Sequence, residues 1–64
     1  MLKVTIVESP STSSCENPRF IVVDVETGEI LADANGFGYR TPQKAKAAFE
    51  YSMYYQGYVF VHPN

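Results

Sequence analysis

Cysteine is nearly missing from this 64-residue chain, with Cys15 standing alone, and His62 is its single histidine. One thiol excludes an internal disulfide, and a tetrahedral zinc site would lack its usual Cys/His set. A lone free thiol suits a reducing, cytosolic setting. Long apolar runs are missing too: none approaches the ~18 residues of a membrane span. The first apolar stretch, residues 2–7, is too short for a signal-peptide core. The expectation is a soluble, intracellular chain, complete as written, in the cytoplasm and away from membranes. Basic residues are few. Five Lys/Arg against seven Asp/Glu give a net charge of −2 and a pI near 5.1. That argues against a general DNA-backbone binder, which needs several cations to release counterions, and it is too mild for a DNA mimic.

Aromatic and β-branched residues are plentiful, as a folded domain requires. The length allows one domain, residues 1–64. A chain this short buries only ~60% of its unfolded surface, so marginal stability is expected.

Leu2, Val4 and Ile6 alternate with Lys3 and Thr5, the period of a half-buried strand. Residues 9–18 hold only small, polar and proline residues besides Cys15, and read as a flexible loop or a contact site. Residues 19–26 form the strongest predicted strand. Thr27-Gly28 predicts a tight hairpin turn into Glu29, Ile30, Leu31 and Ala32. Asp33-Ala34-Asn35-Gly36 offers a second turn, with Asn-Gly supplying positive-φ residues. Phe37 to Tyr39 either extends the third strand or makes a short one of its own.

Thr41 followed by Pro42 is a strong helix start. The hydroxyl can accept an orphan N–H, and proline fits the first helical position. Gly57 is the expected stop, and strand alternation resumes at Tyr58. The predicted fold is α+β, ordered β-β-β-α-β, a small antiparallel sheet with one helix packed on one face.

On a helical wheel Ala45, Ala48 and Phe49 share the side that closes on the sheet, with Ser52 and Gln56. Tyr51 and Tyr54 fall on the other side. Their rings either lie along the helix flank or form a partner surface, because tyrosine is enriched at interface hot spots. Phe37 and Tyr39 join them as candidate protein-binding residues. One helix covers one face of a sheet. With Ile21, Val23, Val25, Val59 and Val61 placed beneath it, Phe20, Val22, Tyr58 and Phe60 are expected on the open face. That surplus fits a homodimer or another protein, or cover from the loop of residues 9–18; base stacking would want a positive groove.

Arg40, Lys44 and Lys46 crowd the helix start, where cations oppose the helix dipole. With the free amides after Thr41 they form a candidate anion or nucleic-acid site, against the plainer reading of a solvated basic edge. Asp24-Val25-Glu26 before Thr27-Gly28 resembles the first acidic motif of DEDD-type exonucleases, where such a pair holds metal ions. That family needs further acids far downstream, and after Asp33 the only one present is Glu50. Cys15 and His62 lack a third residue to orient them as a nucleophile pair. Neither a catalytic residue, a metal nor a cofactor is assigned.

The run from Gly28 to Tyr51 carries a resemblance, on Asp33-Ala34, Gly36-Phe37-Gly38-Tyr39, Thr41, Gln43-Lys44-Ala45, Ala48-Phe49 and Tyr51. It is similar to small orphan proteins of phages and mobile elements of Gram-positive bacteria, over residues 22–55. The resemblance implies an accessory protein and supplies no catalytic residues. Residues 37–45 also resemble the strand-to-helix corner of the sheet-plus-helix modules that open many phage integrases. Those bind DNA with a basic sheet, whereas this sheet is apolar and acidic. The expectation is therefore a non-enzymatic module that binds another protein, such as a component of a host defence system. A nucleic-acid-binding domain using the basic edge with aromatics is the alternative.

Overall fold

A computed structural model describes residues 2–10, 16–52 and 57–61. The elements follow the predicted order: β1 (Leu2–Glu8), β2 (Phe20–Asp24), β3 (Ile30–Ala32), α1 (Pro42–Ser52) and β4 (Tyr58–Phe60). They build an α+β fold of one four-stranded sheet, ordered β3-β2-β1-β4, with the helix packed on it. The expected antiparallel sheet is in fact mixed. β1 pairs antiparallel with β2, and β2 with β3, but β4 lies parallel to β1. The cause is the helix. A hairpin can only reverse the chain, whereas a helical crossover brings a later strand back in the same direction.

Each junction has a local reason. Thr41 Oγ1 accepts the Lys44 N–H at 3.1 Å, and Thr41 O accepts the Ala45 N–H, which caps the helix as predicted. The β2–β3 link is longer than the two-residue turn expected at Thr27-Gly28. The Asp24 N–H donates to Glu29 O, and Gly28 N–H donates to Asp24 O, enclosing residues 25–28. Asp24 Oδ1 accepts the N–H groups of Glu26 and Thr27 within that loop. Tyr39 forms an isolated antiparallel bridge with Phe20, the short separate segment that was one of the two expected arrangements.

The core consists of Val4, Val22, Ala45 and Phe49, joined by Leu2, Ile6, Phe20, Leu31, Ala32, Tyr39, Tyr58 and Phe60. This corrects the expected assignment of sheet faces. Phe20, Val22, Tyr58 and Phe60 lie under the helix, not on an open face. Phe49 meets Tyr58 and Phe60 edge-on, at 4.9 and 5.8 Å between centroids. The physical reason is ring size. Ala45 and Ala48 bring the helix close, and the aromatic rings of β4 fill the space beside Phe49 that valines would leave empty.

The pairing register then fixes the opposite face. Thr5 sits beside Val23, Val23 beside Ile30, and Lys3 beside Val59. Val25 N–H donates to Lys3 O and Val61 N–H to Val4 O, extending the ladders by one step. A register irregularity in β3 places Ile30 and Ala32 opposite the consecutive residues Val23 and Val22. The extra residue lets Leu31 and Ala32 both reach the core while Ile30 turns to the other side.

Candidate functional site

The least ordinary backbone lies between β3 and α1. Ala34, Asn35 and Gly36 are consecutive left-handed residues, at φ 51°, 58° and 94°, and Gly38 follows at 77°. Asparagine and glycine enter this region readily; alanine does so at a cost of about 1–2 kcal/mol. The turn is pinned throughout. Asp33 O accepts the N–H groups of Gly36 and Gly38, and Ala34 O accepts that of Phe37. Past the turn, Tyr39 and Phe20 exchange two backbone hydrogen bonds, of 2.7 and 2.8 Å. Between those anchors Phe37 is held outward, 73% exposed.

The four candidate protein-binding residues do not share one role. Phe37 is exposed, and so is Tyr51 at 88%, two positions from Phe49 and therefore on the opposite side of the helix. Tyr39 is half-buried against the core and belongs to the fold. Tyr54 lies outside the described residues, as do Cys15, His62, Gln56 and the side chain of Ser52.

Arg40, Lys44 and Lys46 are all exposed, but they do not make one edge. Lys46 stands over Phe60, its Nζ 5.3 Å from the ring centroid, and extends the core at the β4 side. Lys44 is about 200° away around the helix, by the ~100° turn per residue. Lys44 and Arg40 remain beside the helix N-terminus, whose first turn carries no acidic side chain.

Asp24 has a turn to hold, through its two hydrogen bonds to Glu26 and Thr27. Among the described residues, no three His, Cys, Asp or Glu side chains gather where a metal ion could sit. No helix among them is long and apolar enough to cross a membrane.

The open face of the sheet is the feature that sequence reasoning placed on the wrong side. Among the described residues, six large hydrophobic side chains are exposed. Four of them, Val25, Ile30, Val59 and Val61, belong to that face. A signal for this was present in β4, where only the Tyr58/Phe60 set has rings large enough to surround Phe49.

The molecule is thus a small mixed-sheet α+β module with a pinned aromatic turn and, among the described residues, four exposed aliphatic side chains on the sheet face away from the helix. No family model, curated protein or solved structure matches the chain.

Proposed function

We propose that the chain is a non-enzymatic module that binds another protein, with Phe37 as its anchor and Tyr51 as a second contact. The observation that carries this reading is the display of Phe37. A large apolar ring is held 73% exposed on a turn whose N–H groups are engaged on both sides of it. Because the backbone that carries the ring is already held by hydrogen bonds, docking has only the side chain left to order, and aromatic residues are enriched where interfaces bury most completely. The resemblance of residues 22–55 to phage and mobile-element proteins adds a setting: an accessory protein in a bacterial cytoplasm, acting on a host protein such as a defence component.

The test is capture from a lysate of a Gram-positive host on the immobilised chain, followed by identification of the retained protein. Phe37→Ala and Tyr51→Ala each reduce capture, and Phe37→Ala does so more. Capture unchanged by Phe37→Ala sinks the reading. The nucleic-acid alternative, through Arg40 and Lys44, is separated by titrating salt against binding to single- and double-stranded oligonucleotides. A steep fall in affinity with salt would favour it.

A further inference from the structure

We infer that the protein partner docks as an extended strand on the outer edge of β3, beside the exposed flank of α1. This rests on the protein-binding reading and adds the form that the partner's contact segment takes. β3 ends the sheet, and among the described residues no strand pairs with its outer side. The pairing of β2 fixes which groups that side presents. Phe20 exchanges two backbone bonds with Tyr39, and Asp24 N–H donates to Glu29 O. Phe20, Val22 and Asp24 therefore turn their peptide groups towards β3, and Val23, between them, turns its own towards Thr5 on β1. Ile30 is opposite Val23. The two make a pair without mutual hydrogen bonds, so the N–H and C=O of Ile30 point out of the sheet. One residue thus offers both a donor and an acceptor to an added strand.

Both exposed aromatics border that edge. Ala32 and Tyr39 pair with Val22 and Phe20 on the same side of β2, so the turn carrying Phe37 closes one end of the line. On the helix, Lys46 reaches over Phe60 on the β4 side. Lys44 and Tyr51 lie within ~20° of each other around the helix and on the opposite flank, the one nearer β3. β3 and β4 both run parallel to β1, so the helix between them runs back along β3. Arg40 and Lys44 therefore stand at the Phe37 end of the edge, and Tyr51 stands further towards Ile30. Glu26 and Glu29, in the β2–β3 loop, mark the Ile30 end.

These placements define the occupant. Main-chain bonds at Ile30 call for an extended backbone, whose alternate side chains face the helix flank and are apolar to meet the rings. Charge sets its polarity: a carboxylate at the end facing Arg40 and Lys44, and a cation at the end facing Glu26 and Glu29. β3 is short and bulged, a form that discourages indiscriminate edge pairing. Stable addition therefore needs the flanking aromatic contacts as well. A second copy would bring an edge equally short and bulged.

The probe is a displayed library of random peptides of about twelve residues, ample to span the edge at ~3.3 Å per residue, panned on the full chain. Enriched peptides should carry apolar residues at alternate positions and an Asp or Glu at one end. With the tightest of them bound, the Ile30 amide should exchange with deuterium at least ~10-fold more slowly than in the free chain. Ile30→Pro removes the outward N–H and no ladder bond, and should weaken binding at least ~10-fold. Ile30→Thr keeps the N–H on a β-branched residue and should bind nearly as tightly. Circular dichroism checks both folds; if Ile30→Pro unfolds, amide exchange on the parent chain decides. No enriched peptide, peptides with helical spacing, or an Ile30 amide indifferent to the peptide overturns the inference. So does an Ile30 amide already protected in the concentrated free chain, which would put a second copy on the edge. Any of these, beside lysate capture still lost in Phe37→Ala, removes strand addition and leaves protein binding standing. Capture indifferent to Phe37 strikes the protein-binding reading itself.

Discussion

The Phe49 ring stands edge-on to Tyr58, with centroids 4.9 Å apart and planes at 82°. That one contact joins the helix to the strand that follows it. It also anchors the aromatic set Phe49, Tyr58 and Phe60, in which every pair is edge-to-face. Truncating Phe49 to alanine should cost about 3–5 kcal/mol. A domain of this length holds only ~0.05–0.15 kcal/mol per residue, so the variant should be largely unfolded by circular dichroism in buffer. Phe49→Leu should remain folded, at a loss of about 1–2 kcal/mol.

Ala34→Gly should stabilise the protein. Glycine removes the left-handed penalty at φ 51° and gives part of the gain back through a freer unfolded chain, leaving about 0.5–1 kcal/mol. A urea midpoint that moves upward checks it. A fall would mean that the Ala34 side chain contributes packing that outweighs its strain.

Asp24 separates a turn from a metal site by its variants. Asp24→Ala loses both acceptor bonds to the loop N–H groups and should cost about 1 kcal/mol. Asp24→Asn keeps a carbonyl oxygen in place and should recover most of that loss. The comparison is made by urea unfolding of the parent and both variants with and without added magnesium, which should leave the parent's midpoint unmoved.

Thr41→Ala should remove the helix cap at a cost of about 1 kcal/mol, and Thr41→Ser should restore it. The bond at stake is the one that Lys44 N–H donates to Thr41 Oγ1. Helical circular dichroism should weaken together with the urea midpoint.

Phe37→Ser should leave the stability within about 0.5 kcal/mol of the parent, as substitutions at open surface sites do. The same variant should lose the captured partner. A large drop in stability would instead make Phe37 a structural residue of the turn.

How far the fold was legible is seen best in β1 and β2. In β1 the alternation separates Leu2, Val4 and Ile6 from Lys3 and Thr5, so its core side follows from the residues alone. In β2 both alternating sets are apolar: Phe20 with Val22, and Ile21 with Val23. Choosing between them needs the register Ile6↔Val22, a long-range fact that periodicity does not contain. A choice wrong by one residue reverses the whole sheet. Thr41 and Pro42 were readable because capping is local chemistry. The left-handed Ala34 was not, because alanine ordinarily avoids that region and the turn is imposed by the pairing of Tyr39 with Phe20. Of the candidate site, the exposed Phe37 could be named from its place between two glycines, whereas the bare valine face depended on the same missing register.

The parallel alliance of β1 and β4 has a consequence for how the protein reaches its fold. Leu2 pairs with Tyr58 and Val4 with Phe60, so a central strand of the sheet waits for residues synthesised after the other strands and the helix. The β2–β3 hairpin and the capped helix are local and can form early. Closing β4 onto β1 brings together residues far apart in sequence and belongs to the slow, high-contact-order end of folding. Until that closure, one edge of β1 is unpaired and open to the edge of another nascent chain. The strand made first is thus the one left exposed longest.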